Sequence, residues 1–150
     1  MVDSASVHQV GSAAKNVNAN IAQVVSAATQ GNEMYTALAA RDTANSLRDF
    51  TNAVRVVAAS TQHKETQQRL VIFTEKVLEM SLILIEEAKR TLHDQSNLDN
   101  LNQAAKKVTQ SLNDCISVLP GQRAVDAAID TIHAASAALD RSDFPPSDKP

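Results

Sequence analysis

The sequence predicts an all-α fold, a five-helix up-down bundle. Three observations lead there. Glycine occurs 3 times and proline 4 times in 150 residues, and no proline precedes Pro120. About one residue in six is alanine, the best helix former. Apolar residues recur at spacings of three and four along five segments. The scarcity of turn formers removes a turn-rich all-β fold. An apolar fraction of 43% removes a disordered chain. The length of 150 residues fits one domain, large enough to bury a core without disulfides or metal.

The first helix is expected from about Ser4 to Thr29, with Asp3 or Ser4 as its cap. Its seam is Val7, Val10, Ala14, Val17, Ile21, Val24 and Ala28, an unbroken 3-4 alternation. Gln30-Gly31-Asn32 then breaks the pattern. Gly31 suits a left-handed position after a helix, and Asn32 suits an N-cap. The second helix is expected from about Glu33 to Ala59, with Leu38, Ala44, Leu47, Phe50, Val54 and Val57 inward. The polar stretch Ser60-Thr61-Gln62-His63 closes it.

The third helix is expected from about Lys64 to Leu92. Leu70-Val71-Ile72-Phe73 and Leu82-Ile83-Leu84-Ile85, with Val77, Leu78 and Met80 between them, cover far more than one face. A helix apolar nearly all round is expected to be buried nearly all round, so this one is placed at the centre. The fourth runs from about Asn97 to Val118, with Leu98, Leu101, Ala105, Val108, Leu112, Cys115 and Leu119 on its seam. Ser96 and Asp99 suggest a capping box, and Pro120-Gly121 stops the helix. The fifth runs from about Gln122 to Asp140, with Val125, Ala128, Ile129, Ile132, Ala135 and Leu139 inward.

Short loops make neighbouring helices antiparallel. Five such helices leave the termini at opposite ends, so a domain of residues 1–141 could be threaded in series and carry tension. Residues 142–150, with Pro145-Pro146, read as an interdomain linker.

The chemistry-bearing residues are few. Fourteen basic and 17 acidic residues give a net charge of −3, with no basic cluster for nucleic acid. His8, His63, His93 and His133 stand alone, in no metal-binding spacing. Glu86-Glu87 and Asp42/Asp49 read as solubilising charges. Cys115 lies on an apolar seam, where a thiol is a small hydrophobe and not a nucleophile. Neither an enzyme nor a bound cofactor or metal is expected. The single cysteine, the lack of a signal-peptide pattern and the lack of an 18-residue apolar run point to a cytoplasmic protein with no membrane insertion. Thr43, Thr51 and Thr74 fall on or beside seams, where a buried hydroxyl needs a partner. No exposed apolar stripe is expected clear of the seams, which counts against a docking groove.

Four stretches carry a resemblance. They are Gln30-Gly31-Asn32-Glu33-Met34-Tyr35, Leu84-Ile85-Glu86-Glu87-Ala88-Lys89, Leu119 to Ala128 (LPGQRAVDAA) and Asp143-Phe144-Pro145-Pro146-Ser147. In their order and spacing the chain resembles a rod bundle of talin, the cytoskeletal adaptor between integrin tails and actin, and most of all the fifth bundle of that rod. The resemblance covers about Val7 to Ser147. It implies a force-bearing structural module at cell–matrix adhesions, with adjacent talin rod domains as neighbours in the same chain. Actin filaments are a further partner it implies, through the folded surface. It also implies the vinculin head as a partner once tension exposes a buried helix.

The family's vinculin-binding helices follow a pattern close to LxxAAxxVAxxVxxLIxxA. The fourth helix matches at Leu101, Ala104, Ala105, Val108 and Ile116, and departs at Thr109, Leu112, Cys115 and Leu119. The resemblance therefore makes Leu101, Ala104, Ala105, Val108, Leu112, Cys115, Ile116 and Leu119 the candidate cryptic site. The first helix is a partial match at Ala13, Ala14, Val17 and Ala28, and the third at Leu70, Val77, Leu84, Ile85 and Ala88.

Overall fold

A computed structural model describes residues 4–120. They form α1 (Ser4–Thr29), α2 (Glu33–Ser60), α3 (Lys64–His93), a 3-10 turn (Gln95–Asn97) and α4 (Leu98–Ser117). The all-α expectation stands, but the count of five does not: the described residues hold four α-helices. The segment expected as a fifth helix, the linker and the first three residues lie outside them. Nor do the described helices end at opposite ends. Thr109 Oγ1 donates to Asn18 Oδ1 at 3.1 Å, and Gln95 Nε2 reaches the Ala28 carbonyl at 3.3 Å. These pairs run α4 antiparallel to α1, so α4 stops at the end where α1 begins. The four described helices bring the chain back to the end where α1 begins.

The turn after α1 follows from its residues. Gly31 has φ 71°, the Asn32 amide reaches the Ala27 carbonyl at 2.9 Å, and the Gly31 amide reaches Ala28 at 3.0 Å. This is a Schellman closure. The Asn32 side chain then caps α2 by accepting from the Tyr35 amide at 3.0 Å. A Cβ on Gly31 would meet nothing within 4 Å, so only the backbone conformation resists substitution. Gly31→Ala is expected to cost about 1–2 kcal/mol, read from the thermal midpoint.

The core draws one stripe from each helix. All the α1 seam residues from Val10 to Ala28 are buried, and Val7 packs against them. On α2, Phe50, Val54 and Val57 are buried as expected, but Leu38 and Ala44 are exposed, and Thr36, Ala39, Thr43 and Ser46 face inward instead. The seam read from the sequence drifts off the buried face towards the start of this helix.

The central placement of α3 is also corrected. It buries Leu70, Thr74, Val77, Met80, Ser81, Leu84, Ala88 and Thr91. Val71, Ile72, Leu78, Leu82 and Ile83 are exposed. In a four-helix packing every helix lends one stripe to a shared centre, and none is enclosed by the others. The expected capping box is absent too. Ser96 turns back to Asp94, its amide at 3.0 Å and its hydroxyl at 2.6 Å from Oδ1, and so closes the 3-10 turn instead of α4.

Most buried hydroxyls satisfy themselves locally. Thr43 donates to the Ala39 carbonyl at 2.8 Å, Ser81 to Val77 at 2.7 Å, Thr91 to Glu87 at 2.8 Å and Ser111 to Lys107 at 2.7 Å. Each bond returns four residues up its own helix, so the hydroxyl needs nothing from a neighbouring helix.

Candidate functional site

The candidate residues of α4 come together on one side of the helix. Leu101, Ala104, Val108, Leu112, Cys115 and Leu119 are buried in the common core, and Ala105 and Ile116 pack half-buried beside it. Their spacing places them on one stripe, and the stripe faces α3 more than any other helix. Below the stripe α4 ends at Ser117, and the Leu119 amide closes on the Ile116 carbonyl at 3.0 Å just before Pro120.

What anchors α4 is mostly apolar contact. The residue just before it, Asn97, donates from Nδ2 to the Glu87 carbonyl at 3.2 Å and to Glu87 Oε1 at 3.1 Å. This tie between the start of α4 and the end of α3 is absent from any reading of periodicity, because it joins two polar residues outside both seams. At mid-helix the bond from Thr109 to Asn18 is the link to α1. Near the other end Cys115 Sγ lies 3.7 Å from Thr74 Oγ1. Burial pushes the Cys115 thiol up from its ordinary range, and the Thr74 hydroxyl only partly offsets that. The thiol stays protonated and unreactive while α4 is seated.

Among the described residues the other titratable groups lie at the surface, with Glu87 half-buried. His8, His63 and His93 are exposed, and His133 lies outside the described residues. Asp94 is held below the usual carboxylate range by the Ser96 hydroxyl and amide, a turn-closing role. Glu86 and Glu87 pair with Lys89 and Arg90 one turn further along α3, at 3.5 and 3.2 Å. No group of three His, Cys, Asp or Glu among the described residues could hold a metal ion. No described helix is long and apolar enough to cross a membrane.

Comparison with known proteins decides the family. Residues 3–122 match the model of the Talin IBS2B domain, a span that covers all four described helices. The chain belongs to the talin family. It is 48% identical to talin of Oscarella pearsei over 140 residues, which is 91% of this chain. It is 43% identical to mouse talin-2 over 94% of the chain, and 40% identical to chicken talin-1 over 93%. In each case it spans about 6% of the relative's length. The chain is thus a talin rod domain, a structural module and not an enzyme. The rod-bundle resemblance drawn from Gln30–Tyr35 and the LPGQR turn holds at the level of the family.

Proposed function

We propose that this talin module bears force within a cytoskeletal adaptor that links integrin adhesions to actin, as the fifth bundle of its rod. One observation carries the mechanical part: among the described residues, the ion pairs (Glu65–Arg69, Lys76–Glu79, Glu86–Lys89, Glu87–Arg90) all run along α3 itself, and none joins two helices. Such pairs contribute only a few tenths of a kcal/mol each to their own helix. Cohesion between helices comes from apolar burial, which is short-ranged and lost together once the stripes part. Because α1 begins where α4 stops, load applied at these points opens the α1–α4 side first.

The cryptic reading follows from the burial of α4. The eight candidate residues face the core or its border, Thr109 alone of the pattern positions being exposed, so a partner could take that stripe only after α4 leaves. Cys115 then serves as a built-in reporter. Held by its ends in a tweezers experiment, the chain is expected to extend in a discrete step. Full release of Ser4–Ser117 corresponds to about 40 nm of contour. A thiol reagent should label Cys115 only after the step, and a vinculin head should bind only then. Gradual extension without a step would overturn the force-bearing reading. A step with no vinculin capture would leave a mechanical module and remove the cryptic one.

A further inference from the structure

Between α2 and α3 runs a groove of about 520 Å³, lined among others by Ala40, Leu47, Leu78 and Leu82 and edged on the α2 side by Arg48 and Arg55. Leu82 is 69% exposed and Val71, further along α3, 53%. The α2 edge is basic, and exposed glutamates lie on α3 outside the groove lining. Arg41, Arg48 and Arg55 recur every seventh residue of α2, a spacing that drifts only about 20° per step and so makes a row. No ion pair engages any of the three among the described residues. On α3, Glu75, Glu79 and Glu86 are exposed, and the last two meet only Lys76 and Lys89 of their own helix, at 4.0 and 3.5 Å.

We propose that this face mates with the same face of a second copy of the chain, about a two-fold axis parallel to the helices. That axis lays α2 of each copy over α3 of the other. The arginine row then meets the glutamate row twice, by symmetry, and Leu78 and Leu82 of both copies close into one apolar layer. The other two-fold, across the helices, would lay α2 on α2 and set arginine against arginine, which like-charge repulsion disfavours. The face is its own electrostatic complement in one orientation only, and that property selects a second copy over a foreign helix.

The test is sedimentation equilibrium of the whole chain over a wide concentration range at low salt. The average mass is expected to rise from 16.1 kDa towards twice that value. Arg48→Glu with Arg55→Glu should weaken self-association at least about tenfold, and Glu79→Arg with Glu86→Arg should do the same. An equimolar mixture of the two variants should associate again, because each copy then offers the other an opposite row. All four residues are exposed, so helix content should not change. Unaltered association of the variants, or failure of the mixture, would overturn the proposal. So would a chain that stays monomeric throughout. In that case labelling of a Leu82→Cys variant distinguishes the other occupants: a protected thiol means residues after Pro120 cover the face, and a reactive one leaves it open to a foreign helix.

Discussion

Phe50→Ala is expected to lower the stability of the bundle by about 3–5 kcal/mol. Phe50 is fully buried midway along α2, among the largest enclosed side chains. Its ring is the only aromatic side chain in the fully buried core among the described residues, so its loss removes the largest ring-shaped volume there. The rest of the core is mostly Ala, Val and Leu, which relax little into a cavity of that size. Against a total stability of roughly 5–15 kcal/mol, the loss is a large share. Urea unfolding should show a lower midpoint with an unchanged slope. A loss below about 1 kcal/mol would mean that α2 is not seated as described. The same variant should release α4 at lower load, since the stripes of all four helices meet in one core.

The second large effect is a contrast within α3. Leu84→Ala should cost about 2–5 kcal/mol, whereas Leu82→Ala should change the stability of the dilute chain by no more than about 0.5 kcal/mol. Leu84 is fully buried and Leu82 mostly exposed, two residues apart on the same helix. A helix enclosed on every side would lose several kcal/mol at both positions. Equal losses would therefore restore the central placement of α3 that the structure removes.

These cases show what could be read from the residues and what could not. The α1 seam and the Gln30-Gly31-Asn32 turn were legible because each position has a local cause: a 3-4 alternation, a left-handed glycine, an asparagine cap. The inward stripe of α4, from Leu101 to Leu119, was legible for the same reason. The environment of α3 was not. Apolar residues all round a helix state what it could bury, and only the number of neighbours decides how much of it is buried. On α2 the inward Thr36, Thr43 and Ser46 were missed because their hydroxyls bond to their own helix, and a threonine so satisfied behaves as a small apolar residue. Ser96 misled because a nearer acceptor, Asp94, outcompeted the expected cap. The Asn97–Glu87 tie and the arginine row along the α2–α3 groove lie off every seam, where hydrophobic periodicity carries no signal.

The self-contained hydroxyl bonds have a consequence for how the helices find their alignment. Val10, Val17 and Val24 repeat every seven residues along α1, so a slip of two turns sets valine where valine stood. Grease alone reads such a slip as nearly the native arrangement. Hydroxyls turned back on their own helices slide along with it and object to nothing. Vertical position must then be read by the few groups that reach across, among them the Asn20 amide on the Asp42 carbonyl and the Ser46 hydroxyl, Gln67 on the Ala58 carbonyl, Asn18 with Thr109, Thr74 with Cys115, and Gln95 on the Ala28 carbonyl. These polar contacts act as alignment pins. A bundle opened and closed repeatedly would depend on them to return to the same ladder rung each time, though they add little to the strength with which it stays shut.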